Sequence, residues 1–160
     1  MHHKGWWIVV FIIVLAIIAI AYGVTHVNVS ALPEPGPFET SVAMKVKDWY
    51  IHRAVEGPLA PPPANDAASI SAGGTTFIMG CATCHGKGGR NPTPVGKSMY
   101  PRALDLGSPE VQGMPDREIF WVIKNGIRLS GMPGFAHIES DEEIWQLTYY
   151  VRSLGKQTKH

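Results

Sequence analysis

Apolar residues form one unbroken block at the start of the chain and afterwards return only at helical spacing. From Gly5 to Val24 the chain carries no charge, and its centre reads Ile8-Val-Val-Phe-Ile-Ile-Val-Leu-Ala-Ile-Ile-Ala-Ile20. A helix of that length spans about 30 Å, the thickness of a bilayer's hydrocarbon core. Trp6, Trp7 and Tyr22 stand at its ends, where aromatic belts are expected. Next comes Leu32-Pro-Glu-Pro-Gly-Pro-Phe38, which predicts an extended tether. Val42, Val46, Trp49 and Arg53 recur at helical spacing, predicting a helix over 39–56 that Gly57-Pro58 ends. Pro61, Pro62 and Pro63 read as a stiff spacer.

Beyond Asp66 the pattern is again helical. Gly73, Phe77 and Cys81 fall four apart on nearly one face. Residues 86–106, rich in Gly and Pro, read as loop. Asp116 is placed to cap a helix through Ile119 to Ile123, closed by Gly126. Ser140-x-x-Glu143 is a capping-box pattern opening a last helix. Ile144, Leu147, Tyr150, Val151 and Leu154 give that helix its apolar stripe, and Gly155 stops it. The fold class expected is all-α. Its parts are a stub (1–4), a single N-terminal transmembrane helix (5–24), a Pro-rich linker with a short helix (25–65) and a small helical head (66–160).

The totals sharpen this organisation. A net charge of +1 over 160 residues excludes the basic surplus a nucleic-acid binder needs to displace counterions. Hydrophobic residues at 45% exclude an acidic disordered chain. The mean hydropathy of +0.01 averages a membrane helix with a polar head and describes neither. Lys4 precedes the apolar block and no Lys or Arg follows until Lys45, so the positive-inside rule puts the amino terminus in the cytoplasm and the head outside. Ala19-Ile20-Ala21 fits a signal-peptidase pattern, but the apolar run exceeds a usual signal core, which favours an uncleaved anchor. The helix over 39–56 is read either as packing on the head or the membrane surface or as a docking element for a partner subunit. The residues do not separate these.

Two cysteines cannot make a disulfide framework. They sit in Gly80-Cys81-Ala-Thr-Cys84-His85-Gly86, the attachment pattern for c-type haem. Two thiols one turn apart can each add to a vinyl group of a porphyrin, and the adjacent histidine then lies beneath the iron. A structural zinc site wants a second ligand pair, and no further Cys exists. A thioredoxin-like pair wants a βαβ context and has no need of the histidine. A disulfide across this spacing has poor geometry.

The order Gly73-x-x-x-Phe77-x-x-x-Cys81-x-x-Cys84-His85-Gly86, then Asn125-Gly126, Gly131-Met132-Pro133-Gly-Phe135 and Tyr150-Val-Arg-Ser-Leu154 resembles class I mono-haem c-type cytochromes. The resemblance covers roughly 66–155. It implies a small helical domain wrapped around one haem c bound through Cys81 and Cys84, with His85 as proximal ligand. Met132, in the loop before the last helix, is the distal ligand implied. Met99, Met114 and His137 are the alternatives, and Met79 lies on the wrong side. Pro94, or Pro92, corresponds to the residue whose carbonyl accepts the His85 Nδ1–H. Tyr150 corresponds to the aromatic received by Gly73 at the helix crossing. Lys87, Arg90, Lys97 and Arg102 suggest a positive collar for an acidic redox partner or the haem propionates, the latter with Tyr100, Arg102 and Trp121 as candidates.

The function expected is that of a membrane-anchored one-electron carrier on the outer face of a bacterial cytoplasmic membrane, in a respiratory or photosynthetic chain. Its partners would be membrane or periplasmic redox proteins, with the bilayer held through 5–24 and no nucleic acid. The alternatives are a fixed cytochrome subunit of a larger membrane redox complex, and a haem enzyme or gas sensor with an open sixth site. Neither the carrier nor the subunit reading makes the chain itself an enzyme.

Overall fold

A computed structural model describes residues 3–26, 28, 30 and 32–155. Met1 and His2 of the expected stub, and His160, lie outside the described residues. Eight helices occur among the described residues and no strand does: α1 (His3–Thr25), α2 (Pro37–Ala54), α3 (Ala67–Gly80), α4 (Ala82–His85), α5 (Pro94–Lys97), α6 (Pro109–Gln112), α7 (Asp116–Asn125) and α8 (Asp141–Gly155). The fold is all-α, as the spacing implies. The chain divides into two compact units, 1–30 and 31–160.

The first unit is α1. None of its side chains from Gly5 to Thr25 is buried. A helix apolar on every side and unburied from Gly5 to Thr25 is suited to lipid, where each backbone group must be bonded within the helix.

The second unit is built around the crossing of α3 and α8. Asp66 caps α3, accepting from the Ser69 amide at 2.8 Å. The capping box at α8 is formed: the Ser140 amide donates to Glu143 at 2.8 Å and the Glu143 amide to Ser140 Oγ at 3.3 Å. Where the helices meet, a Cβ on Gly73 would lie 2.0 Å from the Gln146 carbonyl oxygen. Gly73 therefore admits backbone rather than an aromatic ring. The neighbouring Gly74 takes the ring, with a Cβ position 3.1 Å from Tyr150, and the Tyr150 and Phe77 ring centroids are 5.0 Å apart. Phe120, Ile144 and Leu147 fill the core, with Phe120 stacked on Trp145 at 4.4 Å.

Asp116 is not a cap. It is the first residue of α7, after Pro115, and its carboxylate meets Arg152 Nε at 2.5 Å. Arg152 also donates to the Gln112 carbonyl at 2.6 Å and to the Met114 carbonyl, tying α8 to the turn before α7. Gly126, at φ +67°, closes α7 as expected. The loop reading of 86–106 missed α5, and α6 follows just beyond it. Both open with a hydroxyl cap followed by proline: Thr93 before Pro94 and Ser108 before Pro109. That pair is the sequence signal for each.

The stretch read as tether and spacer is laid along the head. Glu34 pairs with Arg102 at 2.8 Å, and Tyr100 OH donates to Glu39. Ile51 and Val55 are buried, and Arg117 donates to the Val55 and Gly57 carbonyls. Trp145 Nε1 donates to the Ala60 carbonyl and Tyr149 OH to the Pro63 carbonyl, each at 3.0 Å. A prolyl segment has carbonyls without matching amide donors, so it can cross α8 by accepting from side chains. This covering buries Trp145 and Tyr149, which the expected apolar stripe of α8 omitted.

Candidate functional site

Helix α3 runs into the Cys-x-x-Cys-His segment, with the Cys81 amide donating to the Phe77 carbonyl at 2.9 Å. The amides of Cys84 and His85 both return to the Cys81 carbonyl, at 3.2 and 3.0 Å, which winds the two thiols and the imidazole into a single turn. Cys81 and Cys84 are both unpaired and partly accessible. Burial pushes the Cys81 thiol up to about 11, with the Glu139 carboxylate and Cys84 adding, so it stays neutral at pH 7.

The loop after His85 folds back on this turn. Gly86, at φ +79°, places its α-carbon where a Cβ would lie 2.2 Å from the Asn91 carbonyl oxygen. Thr93 Oγ1 donates to the Thr83 carbonyl at 2.6 Å. A Cβ on Gly96 would lie 2.2 Å from the Cys84 carbonyl oxygen, and the Ala103 amide donates to the Gly96 carbonyl at 2.9 Å. This brings Leu104 to the imidazole: His85 Nδ1 lies 3.0 Å from its carbonyl oxygen.

The acceptor is therefore Leu104 and not Pro94 or Pro92. Pro94 opens α5, where its carbonyl is taken by the Ser98 amide at 3.0 Å. A carbonyl can only accept, so Nδ1 carries the proton and the Nε2 lone pair is left for a metal. Two unpaired thiols and an imidazole with a fixed tautomer, on one turn, are a donor set that fits covalent haem c.

The methionines are sorted by position. Met132 is half-buried against the core. Its carbonyl accepts from the Ile127 amide at 3.2 Å and its amide donates to Ser130 Oγ at 3.1 Å, so its loop is internally braced. Met99 reaches the same loop: a Cβ on Gly131 would meet its Sδ at 2.4 Å. Met114 lies elsewhere, in a cleft with Met44, Lys47 and Glu118, while Met79 is 73% exposed. His137 is exposed in the turn after Phe135.

The three side chains expected at the propionates have other partners, all in 34–50. Tyr100 holds Glu39, Arg102 holds Glu34, and Trp121 packs edge-on against Tyr50 at 5.9 Å. The expected collar is also reduced. Arg90 pairs with Asp105 at 3.5 Å and donates to the Leu154 carbonyl, and Arg102 is held by Glu34, which leaves Lys87 and Lys97 as the collar's cations without an acid partner among the described residues. The acid on Arg90 lies at the end of the same loop, whereas that on Arg102 comes from 68 residues away, which the spacing of charges along the loop cannot register.

Two solved structures contain chains similar to this one. A chain of the Kuenenia stuttgartiensis reducing HAO-like protein complex Kustc0457/Kustc0458 is similar at 26% identity, over 61% of this chain and 49% of that chain, with a TM-score of 0.56. This chain thus spans about half the length of that one. The KustC0563 c-type cytochrome is similar at 30% identity, over 51% of this chain and 95% of that chain, with a TM-score of 0.46. The family described as cytochrome C oxidase, cbb3-type, subunit III matches residues 68–151. That match takes in over half of the chain, including Cys81, Cys84, His85 and most of both crossing helices, so the chain belongs to this family of c-type cytochrome domains, which hold haem covalently and transfer electrons.

Proposed function

We propose that the protein is a membrane-anchored one-electron carrier with a single haem c, held axially by His85 and Met132. The observation that carries this reading is the 3.0 Å contact of His85 Nδ1 with the Leu104 carbonyl beside two unpaired thiols. The bound haem supplies the Fe(III)/Fe(II) couple. The chain's own residues do the rest. Leu104 orients the imidazole and raises its basicity, and Met132, half-buried in the internally braced 126–135 loop, would supply the thioether. With His85 and Met132 both holding the iron, the site would change little on reduction, which is what electron transfer requires.

The 21-residue apolar stretch Gly5–Thr25 supports retention in a membrane, with the amino terminus in the cytoplasm and the head on the periplasmic side. Reduction and oxidation would then occur against partners at the same surface, within a respiratory or photosynthetic chain. A second reading, as a fixed subunit of a redox complex, is favoured by the similarity to a chain of the reducing HAO-like protein complex.

Intact mass and a denaturing haem assay on the purified full chain should give one covalent haem. Met132→Ala should abolish the near-infrared methionine–iron band of the ferric form, while Met99→Leu keeps it. Loss of the band in Met99→Leu alone would transfer the distal role to Met99. Co-purification from detergent at fixed stoichiometry with another redox protein would replace the carrier reading by the subunit reading.

A further inference from the structure

Helix α2 has two apolar faces, and the head accounts for only one. Ile51 and Val55 are 2% and 8% exposed, and Met44 and Lys47 are half-buried on the same side. At 3.6 residues per turn, Phe38, Val42, Val46 and Trp49 fall within about 80° of one another, roughly opposite that buried face. These four are 83%, 45%, 59% and 60% exposed. An exposed stripe containing Trp and Phe loses hydrophobic stabilisation unless something covers it.

The charges beside the stripe indicate what covers it. Arg53 lies on the stripe side with its guanidinium 5.4 Å from the Trp49 ring, and Lys45 flanks the other edge. The nearest acid, Glu39, is bound by Tyr100. Aromatic and aliphatic groups bordered by cations match an interface of anionic headgroups over acyl chains. Chain length permits the contact: eleven residues separate Thr25 from Pro37, a reach of at most about 40 Å.

We propose that α2 is an interfacial helix, with the stripe Phe38–Val42–Val46–Trp49 seated in an anionic bilayer surface and the opposite face carrying the haem domain. The electron-transfer head is thereby held at the lipid surface in one orientation rather than swinging on a free tether. This rests on the reading of Gly5–Thr25 as a retained membrane span.

The test uses the full-length, haem-loaded protein in vesicles containing anionic phospholipid, with the iron reduced. Nitroxide labels are placed at Val42→Cys and Val46→Cys, with Thr75→Cys on exposed α3 as the aqueous reference. At 42 and 46, collisions with dissolved oxygen should exceed those with a water-soluble nickel chelate, and the order should reverse at 75. Adding Trp49→Ser should return the label at 42 toward the aqueous pattern. Labels at 42 and 46 as open to nickel as the one at 75, in protein that resists carbonate extraction, would overturn the proposal and leave the anchor standing. Shielding from both probes that persists in detergent would assign the stripe to protein and overturn it equally. Release of the chain by carbonate would instead remove the anchor, and the proposal with it.

Discussion

The imidazole of His85 is held by the carbonyl of Leu104, nineteen residues further along the chain, at 3.0 Å. The contact depends on Gly96, which lies between the Cys84 carbonyl and Ala103 with no room for a Cβ. Gly96→Ala should push the 103–104 backbone away from His85 and weaken the bond. A less basic imidazole stabilises ferric iron less, so the reduction potential should rise. Pro94→Ala should leave it unchanged, since the Pro94 carbonyl serves Ser98. Potentiometric titration of both variants checks this, and a large shift in Pro94→Ala alone would reverse the assignment.

Gly73 and Gly74 are adjacent but have different duties. A methyl at 73 meets the Gln146 carbonyl at 2.0 Å, a backbone atom that cannot move without separating α3 from α8. A methyl at 74 meets the Tyr150 ring at 3.1 Å, which a small ring displacement relieves. Gly73→Ala should cost about 1–3 kcal/mol or more, the range for overpacking a close contact, and Gly74→Ala clearly less. Denaturant unfolding of the two variants side by side measures the difference.

The prolyl stretch should behave as part of the fold. Tyr149→Phe removes the hydrogen bond to the Pro63 carbonyl and should cost about 1 kcal/mol. Trp145→Phe removes that to Ala60 and some buried ring as well. In both variants cleavage by a protease near 60–64 should quicken, and unchanged cleavage would mean that the stretch is not held by these bonds.

Stability should fall in acid through the helix caps. The Ser140 hydroxyl and amide hold the Glu143 carboxyl below its usual value near 4.5, and the Ser69 amide holds Asp66 below 3.8. Both folded values are depressed, so the stabilisation is present above the unfolded values and is lost as pH falls through the folded ones. Glu143→Gln should therefore lower Tm at pH 7, with the gap to the parent closing toward pH 3. A gap constant with pH would show that the carboxylate charge contributes nothing.

What was legible in the residues was what depends on near neighbours. The one-turn grouping of Cys81, Cys84 and His85, the uncharged run from Gly5 to Val24 and the Ser140–Glu143 box all follow from spacings of four residues or fewer or from unbroken composition. Helical geometry alone converts such spacings into faces and caps. The crossing of α3 on α8 was legible as a small residue meeting a large one, but shifted by one glycine, since which atom fills a gap depends on the crossing angle.

The tertiary structure decided everything that joins distant segments. Leu104 in place of Pro94, Arg152 on Asp116, and Glu34 and Glu39 on Arg102 and Tyr100 are contacts between residues 19 to 68 apart. They run through Gly- and Pro-rich stretches whose course has no periodicity to read. The tether became a strap for the same reason. Prolines announce an extended backbone, but only the indole of Trp145 and the phenol of Tyr149 determine what that backbone lies against.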